Sequence, residues 1–540
     1  MSHPTLFAIR PVTTRCGGIS DEGTTVTATS FHSAGRARWM RAARWAPPAV
    51  GLVLGTWGNT GPSAWTDEIV TIDVARRSWP QLIELLGRVD AVHGLHYALM
   101  YLVGQVTGLN EFTARVPSAV AVAVAAAGLA WLGRLLGGPR LGLCAGLLLA
   151  VLPTASRYAQ EARSFAFVMA VAVLATGALV KVLAGGRARG RWLAAYAVLT
   201  ALLGWFNVLG LLLPAAHLVT VALRRPGRRA VLQVLLAQAA GIAAVIPLLV
   251  LASAQSSAVG DAAPVTAGTP FSYFTWLLTP GQDTLPTPLK LLLTLSALAA
   301  LTALVVHRRE TPPLALAIGV PWLAVPPLLL MAVSLGHPLF AYRYLLFCLP
   351  ALALLLATAA TVLPPRRLLL LALLPAVPLA ASHLAIRQQD SRQWDTRDVI
   401  STLRVHDAPG DAVLFSGARC GLIATAFKEA FTGHPDLGTA RTAAGAAALD
   451  NLPADQALLE RRLAQTPRVW RITCNHLSDG ARRAAARTTA SQEQALTRAG
   501  FSPAFHHSAR GVDITLEERR APGSREHQLD AEQTAEQTAE

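Results

Sequence analysis

Apolar residues arrive in long continuous blocks, with little of the alternation that marks a half-buried strand. The blocks fall at about 45–63, 114–137, 141–157, 164–185, 192–206, 207–223, 230–252, 288–306, 312–335, 344–363 and 367–386, with a shorter one at 94–109. A helix of roughly 20 apolar residues crosses about 30 Å of hydrocarbon, so most of these blocks read as membrane spans. The expected fold is a polytopic α-helical membrane protein with about 11–13 transmembrane helices over 45–386. Beyond 386 the pattern changes. DAVLFSG (411–417), RVWRITC (468–474) and GVDITLEER (511–519) are short β-rich runs, and Ala-rich segments at 438–466 and 480–499 read as helices between them. That alternation predicts a small α/β domain over 387–520. Residues 521–540 include AEQTAEQTAE and are expected to form a disordered acidic tail.

Composition agrees with the block pattern. Of 540 residues, 53% are hydrophobic and 15% charged, with mean hydropathy +0.41. A soluble chain carries roughly a quarter charged residues, so an ordinary soluble enzyme is excluded. Lys plus Arg minus Asp plus Glu gives 47 − 32 = +15, with pI near 10.5. No basic stripe interleaved with aromatics accompanies that charge, so nucleic acid is not expected as a partner. The excess lies largely in connectors: Arg187, Arg189 and Arg191; Arg224, Arg225, Arg228 and Arg229; His307 to Arg309; and Arg366 with Arg367. Basic connectors stay on the cytoplasmic side. Placing them there makes the 1–44 tail cytoplasmic and the C-terminal domain extracytoplasmic. The polar tail, ending in Arg36, Arg38, Arg41 and Arg44, shows no cleavable signal pattern. Parity holds only if 94–109 is a half-spanning or juxtamembrane helix. An extra crossing between 110 and 160 is the competing explanation. Five cysteines form neither a disulfide framework nor a CxxC site. Cys420 and Cys474 each follow a predicted strand, which leaves a disulfide between them open.

The same topology gathers four polar constellations on the outer face. Asp67 and Glu68 stand in the long first outer loop, 64–93, just past the first span. Paired acids at a membrane boundary are costly to desolvate and usually face water, a partner or a substrate. One of them can take the proton of an attacking hydroxyl; a solvated loop with incidental acids is the alternative. Asp90, His93, His96 and Tyr97 follow, with His93, His96 and Tyr97 on one helical face. Two His and an Asp admit a divalent metal, but no HExxH-type frame supports one. Gln160, Glu161 and Arg163, after Arg157, precede another span. Tyr342 and Arg343 precede a further one. Arginine suits a phosphate through its planar fork, although interfacial salt bridges and aromatic anchoring also explain these two groups. Acids for a hydroxyl acceptor beside arginines for a phosphate suit glycosyl transfer from a polyprenyl-phosphate sugar.

These residues resemble GT-C membrane glycosyltransferases, closest to the family 39 and aminoarabinose-transferase-like group that includes actinobacterial mannosyltransferases. The matching segments are Asp67-Glu68, Asp90 with His93-Gly94-Leu95-His96-Tyr97, Arg115-Val116-Pro117-Ser118, Gln160-Glu161-Ala162-Arg163, and Phe340 through Arg343-Tyr344 to Pro350. They cover roughly 60–350. The resemblance implies a GT-C fold, a polyprenyl-phosphate sugar as donor substrate, an extracytoplasmic active site, and Asp67 as catalytic acid/base with Glu68 assisting. Donor and acceptor binding would fall to Asp90, His93, His96, Tyr97, Gln160, Glu161, Arg163, Tyr342 and Arg343. Gly94-Leu95 and His96-Tyr97 depart from the Pro-Pro or Tyr-Tyr pair frequent in the family. The expected reaction is inverting transfer of mannose or a related hexose to an envelope glycan, lipid or protein. A transporter or flippase of lipid-linked precursors is the alternative, and a non-catalytic envelope scaffold is a third class.

Overall fold

The computed structural model describes residues 44–255, 264–281, 285–417, 419–475 and 479–519. Residues 1–43 of the expected N-terminal tail, and the expected acidic tail, lie outside the described residues.

The chain is a polytopic helical membrane protein. Among the described residues five helices are long and apolar enough to span: Glu111–Val151, Phe165–Ala184, Thr287–Val306, Pro313–Ser334, and the segment Tyr342–Val362. Arg228–Ala243 and Ile246–Ala254 are an apolar helix pair bent by 45°, long enough together for one broken span or a re-entrant loop. Shorter apolar helices are Ala46–Thr56, Val208–Arg224 and Ala376–Ala385. Outward-facing Val198, Leu232, Val250, Leu295 and Leu328 are exposed, as lipid-facing positions are.

Glu111–Val151 is two helices folded back on each other. Gly137 and Gly138 leave helical geometry, Gly138 at φ 86°. The two arms close on small residues. A Cβ at Gly142 would lie 2.4 Å from the Ala130 carbonyl oxygen, and one at Gly146 2.7 Å from that of Ala126. Only glycine admits that approach. The blocks 114–137 and 141–157 are thus one tight hairpin.

Several boundaries differ from the block pattern, each for a local reason. The first block ends as a helix at Thr56, because Gly58 turns the chain at φ 60°. The last block is broken into Pro365–Leu373 and Ala376–Ala385 at Pro375. The loop at 253–287 contains a helix, Thr269–Leu278, whose Tyr273 hydroxyl donates to the Leu345 carbonyl at 3.0 Å. The 64–93 loop is a pair of helices, Thr66–Arg76 and Trp79–Arg88, the second opened by a Ser78/Gln81 capping box. The 94–109 segment forms Gly94–Thr107, 14 residues long. At about 1.5 Å per residue that is some 21 Å, short of a full crossing.

The C-terminal region carries a four-stranded sheet of order β1-β4-β6-β5, from β1 (Ala412–Ser416), β4 (Arg468–Cys474), β5 (Phe501–Ala509) and β6 (Val512–Arg519). β1 and β4 run parallel, whereas β6 is antiparallel to both β4 and β5. The sheet is thus mixed, and β5 and β6 are joined by a tight turn at Gly511 (φ 72°). The helix expected over 438–466 is corrected. Thr439–Arg441 and Leu452–Pro453 pair as strands β2 and β3, and only Gln456–Ala464 is helical. Gly438, Gly445 and Pro453 interrupt the Ala-rich run. Cys420 and Cys474 form a disulfide across a sequence separation of 54.

The C-terminal region does not pack as a separate body. Ile69, Val70, Ile72, Tyr97 and Met100 share one apolar cluster with Trp394, Val399, Val413, Phe415, Leu422 and Trp470. Polar contacts seal the same seam. Arg397 pairs with Glu111 at 2.7 Å, and Arg76 donates to the Thr425 and Ala426 carbonyls at 2.7 Å each. This cover explains why Glu68 through Ala75 are all buried.

Candidate active site

Asp67 stands in the first turn of Thr66–Arg76, where the helix dipole favours an anion. Its Oδ2 lies 3.7 Å from Arg163 Nε and 4.0 Å from Arg343 Nη2. Both are ion pairs without a hydrogen bond, and among the described residues this buried oxygen has no hydrogen-bond partner. Burial pushes the Asp67 carboxyl up, but Arg163, Arg343 and Arg419 together hold it below its usual value. Two guanidiniums therefore converge on one carboxylate from different elements. Arg163 comes from the connector before Phe165–Ala184, and Arg343 from the 3₁₀ turn Tyr342–Cys348. Arg163 lies over the Phe165 ring at 6.0 Å, and Arg343 over Trp65 and Tyr344 at 5.8 and 5.6 Å. Such stacking orients a guanidinium without consuming its donors.

His93 supports Arg163. Its Nε2 is 2.9 Å from Arg163 Nη2. Burial, with Arg163 alongside, pushes the imidazole down to about 4, so it is neutral and Nε2 accepts from the guanidinium. Asp90 lies behind it, 3.8 Å from His93 Nε2, and accepts from the Tyr97 hydroxyl at 2.5 Å. Asp90 sits in the left-handed region at φ 61°, which short polar side chains tolerate.

Glu68 is placed differently from its neighbour. Its carboxylate accepts from Arg115 Nε and Nη2 at 2.7 Å each, and from the Ala162 amide at 3.0 Å. Arg115 also donates to the Asn59 and Pro62 carbonyls at 2.6 and 2.9 Å. Both side chains are 1% exposed. Glu68 therefore anchors the connector that carries Arg163. His96, pushed down to about 3 chiefly by burial, is neutral and donates from Nε2 to the Ala162 carbonyl at 3.2 Å. Ser118 holds the Glu161 carbonyl at 2.6 Å.

The remaining sequence candidates divide. Glu161 pairs with Arg157, and burial raises its carboxyl. The Gln160 side chain donates to the Trp57 carbonyl at 2.7 Å, while the Gln160 backbone carbonyl accepts from Arg392 at 3.2 Å. Arg392 is itself 2% exposed, with Nε and Nη1 unpartnered among the described residues. Tyr342 packs against Trp276 and Phe340, at 5.8 and 5.4 Å between ring centroids, as part of an aromatic cluster and not at the carboxylate. Among the described residues, no group of three His, Cys, Asp or Glu side chains is arranged to hold a metal ion. His96 is turned to a carbonyl and Asp90 is engaged by Tyr97. Sequence reasoning left out Arg115, Arg392 and Arg419 as site residues. Arg115 stood within a quoted segment, but nothing local marked the other two.

No family model matches the chain, and no curated protein matches it in sequence. Solved structures do match. ArnT from Cupriavidus metallidurans in the apo state aligns with TM-score 0.55 and 13% identity, over 90% of this chain and 98% of that one. The same protein bound to undecaprenyl phosphate aligns with TM-score 0.52 and 15% identity, over 87% and 96%. The chain has the GT-C fold. An archaeal oligosaccharyltransferase, AglB from Archaeoglobus fulgidus, also aligns, with TM-score 0.49 and 11% identity over 89% of this chain and 74% of that one. Within the GT-C fold, the carboxylate and its two arginines lie where the membrane bundle meets the C-terminal region.

Proposed function

We propose that the protein is a membrane glycosyltransferase that moves a sugar from a polyprenyl-phosphate donor to a cell-envelope acceptor. The observation that carries this reading is the pair of guanidiniums with unused donors at Asp67. Arg163 and Arg343 face one carboxylate oxygen that neither hydrogen-bonds. Glu68 and Glu161 are already paired with Arg115 and Arg157. Arg163 Nε and Arg343 Nε are buried without a hydrogen-bond partner among the described residues, and a phosphate ester is the anion that guanidinium donors suit. A structure of the same fold holds undecaprenyl phosphate, and the basic connectors favour an extracytoplasmic site.

In this reading the acceptor hydroxyl attacks the anomeric carbon, forming the new carbon–oxygen bond as the bond to phosphate breaks. The electron pair leaves with the phosphate, whose charge Arg163 and Arg343 hold. The hydroxyl proton passes to Asp67. A single displacement inverts the anomeric centre. Binding of the donor phosphate draws the arginines' charge away from Asp67, which raises the basicity of a carboxylate they otherwise suppress. Glu68, Arg115, His93 and His96 act as positioning residues. Mannose or a related hexose remains the proposed sugar.

Purified protein in lipid nanodiscs, offered radiolabelled polyprenyl-phosphate mannose and membrane-derived acceptors, tests the reading. Transfer by the wild type that falls by about 10²–10⁴ in a folded Asp67→Asn variant supports it. Retention of transfer by that variant refutes Asp67 as the base. Movement of the lipid across the bilayer without sugar transfer supports the transporter alternative instead.

A further inference from the structure

A second cavity lies away from Asp67, wholly within the C-terminal region. Its volume is about 420 Å³, within the range of roughly 300–1,000 Å³ usual for small-molecule sites. Its apolar lining includes Val413, Ala424 and Phe431. Its polar lining includes Lys428, His434 and Asp436. Thr425, Thr439, Thr442 and Asn451 add hydroxyls and an amide.

His434 gives the cavity a direction. Its side chain is 8% exposed, and its Nε2 lies 2.7 Å from Asp407 Oδ1. The aspartate fixes the proton on Nε2 and leaves Nδ1 as an acceptor. That Nδ1 is buried, and among the described residues it has no partner. A buried acceptor without a donor is costly unless something supplies one. Asp436 adds carboxylate oxygens, one of which accepts from the Gly438 amide at 2.9 Å. Acceptors, hydroxyls and an amide interleaved with apolar side chains suit a neutral polyhydroxyl ligand. Lys428 and Asp436 cancel in formal charge, which gives an anion no net attraction.

The cavity is coupled to the reaction site through one short helix. Leu422–Ala426 supplies Ala424 and Thr425 to the cavity wall, and its last two carbonyls accept from Arg76. Arg76 ends the helix that Asp67 begins, nine residues and about 14 Å away along the axis. A chain of a few sugars bridges such a distance.

We propose that this cavity is a subsite for the acceptor glycan, binding sugar units internal to the chain while its end reaches Asp67. The proposal rests on the glycosyl-transfer reading for its purpose, but binding itself is separable from transfer. Full-length protein in nanodiscs is titrated with mannan, arabinan and galactan oligosaccharides by saturation-transfer NMR. Wild type and Asp67→Asn should bind at least one of the three alike. Ala424→Trp, which fills the cavity, should weaken that binding about tenfold or more, and His434→Phe, which removes the free acceptor, by a similar factor. In transfer assays Ala424→Trp should raise KM for the long acceptor about tenfold and leave kcat for a single-sugar acceptor unchanged. No binding by any of the three glycans, or equal binding by wild type and both cavity variants, overturns the subsite. Glycan binding that survives in a protein with no transferase activity upholds the subsite and refutes the reaction instead.

Discussion

Glu68→Gln separates a positioning acid from a reacting one. In the native site both carboxylate oxygens are engaged, by Arg115 at 2.7 Å twice and by the Ala162 amide at 3.0 Å. Glutamine retains one carbonyl oxygen, and in either orientation its amino group faces a donor of the Arg115 guanidinium. The positive charge of Arg115, 1% exposed, is left with only the Asn59 and Pro62 carbonyls. Removing one member of a buried pair costs about 3–5 kcal/mol, because the remaining charge stays desolvated. In a unit of this size that corresponds to a melting temperature lower by on the order of 5 °C. Transfer should fall through KM for the donor, since Arg163 follows directly after the Ala162 that Glu68 anchors. Adding Arg115→Met removes the stranded charge, and the double variant should regain about 2 kcal/mol over the single one. Melting in nanodiscs and donor KM are the two readouts. A Glu68→Gln protein that keeps its full melting temperature but loses kcat makes Glu68 a reacting group and refutes this account. A double variant no more stable than the single one refutes the pair energetics.

Arg163→Lys keeps the charge but loses the planar fork, and should raise the donor KM about tenfold with little change in melting temperature. Unchanged donor KM in steady-state assays excludes Arg163 from phosphate binding. The acid limb of kcat should lie at higher pH than that of kcat/KM, because bound phosphate relieves the arginines' hold on Asp67; coincident limbs in the two profiles remove that mechanism. His93 and His96 have folded values of about 4 and about 3 against 6.5 in the unfolded chain, so their stabilisation is complete above pH 6.5 and is lost as pH falls toward 4. Melting curves of the wild type across that window should show a loss that His93→Gln reduces. Cys420→Ser opens a loop of 54 residues and should cost the C-terminal region about 4 kcal/mol in the chain-entropy model, read as faster hydrogen exchange in β1 and β4. Unchanged exchange there counts against a stabilising disulfide.

Much of the membrane architecture was legible because lipid imposes a simple rule on sequence. A span must be apolar for most of its length, and the blocks at 164–185, 288–306 and 312–335 became Phe165–Ala184, Thr287–Val306 and Pro313–Ser334. The rule fails where protein replaces lipid. Thr66–Arg76 contains Asp67, Glu68 and Asp73 among Ile69, Val70, Ile72 and Val74, and reads as a charged loop. It is a buried helix because the C-terminal region covers it and supplies carbonyl acceptors to the arginines at its end. Asp73, for example, pairs with Arg77 at 2.6 Å, and Arg77 donates to the Ala448 carbonyl. Mixed sheet topology escaped for a related reason. Strand direction depends on the turn at Gly511 and on β5, whose Pro503, His506 and His507 dilute the apolar alternation.

The site shows the same division more sharply. Acids, histidines and arginines could be named one segment at a time, but the assignment of partners could not, because those partners come from elements far apart in the chain. Asp67 and Glu68 are neighbours in sequence and equivalent there. In the structure successive helical positions project about 100° apart, and that rotation sends them to opposite roles. Glu68 meets Arg115 from the folded hairpin and becomes fully satisfied. Asp67 meets Arg163 and Arg343 at distances too long for hydrogen bonds and keeps an oxygen without a partner. A carboxylate left incomplete beside guanidiniums with unused donors is poised for a ligand that brings both an anion and a proton donor. That requirement, more than the presence of two acids, is what points to a phosphate leaving group and a hydroxyl acceptor meeting at Asp67.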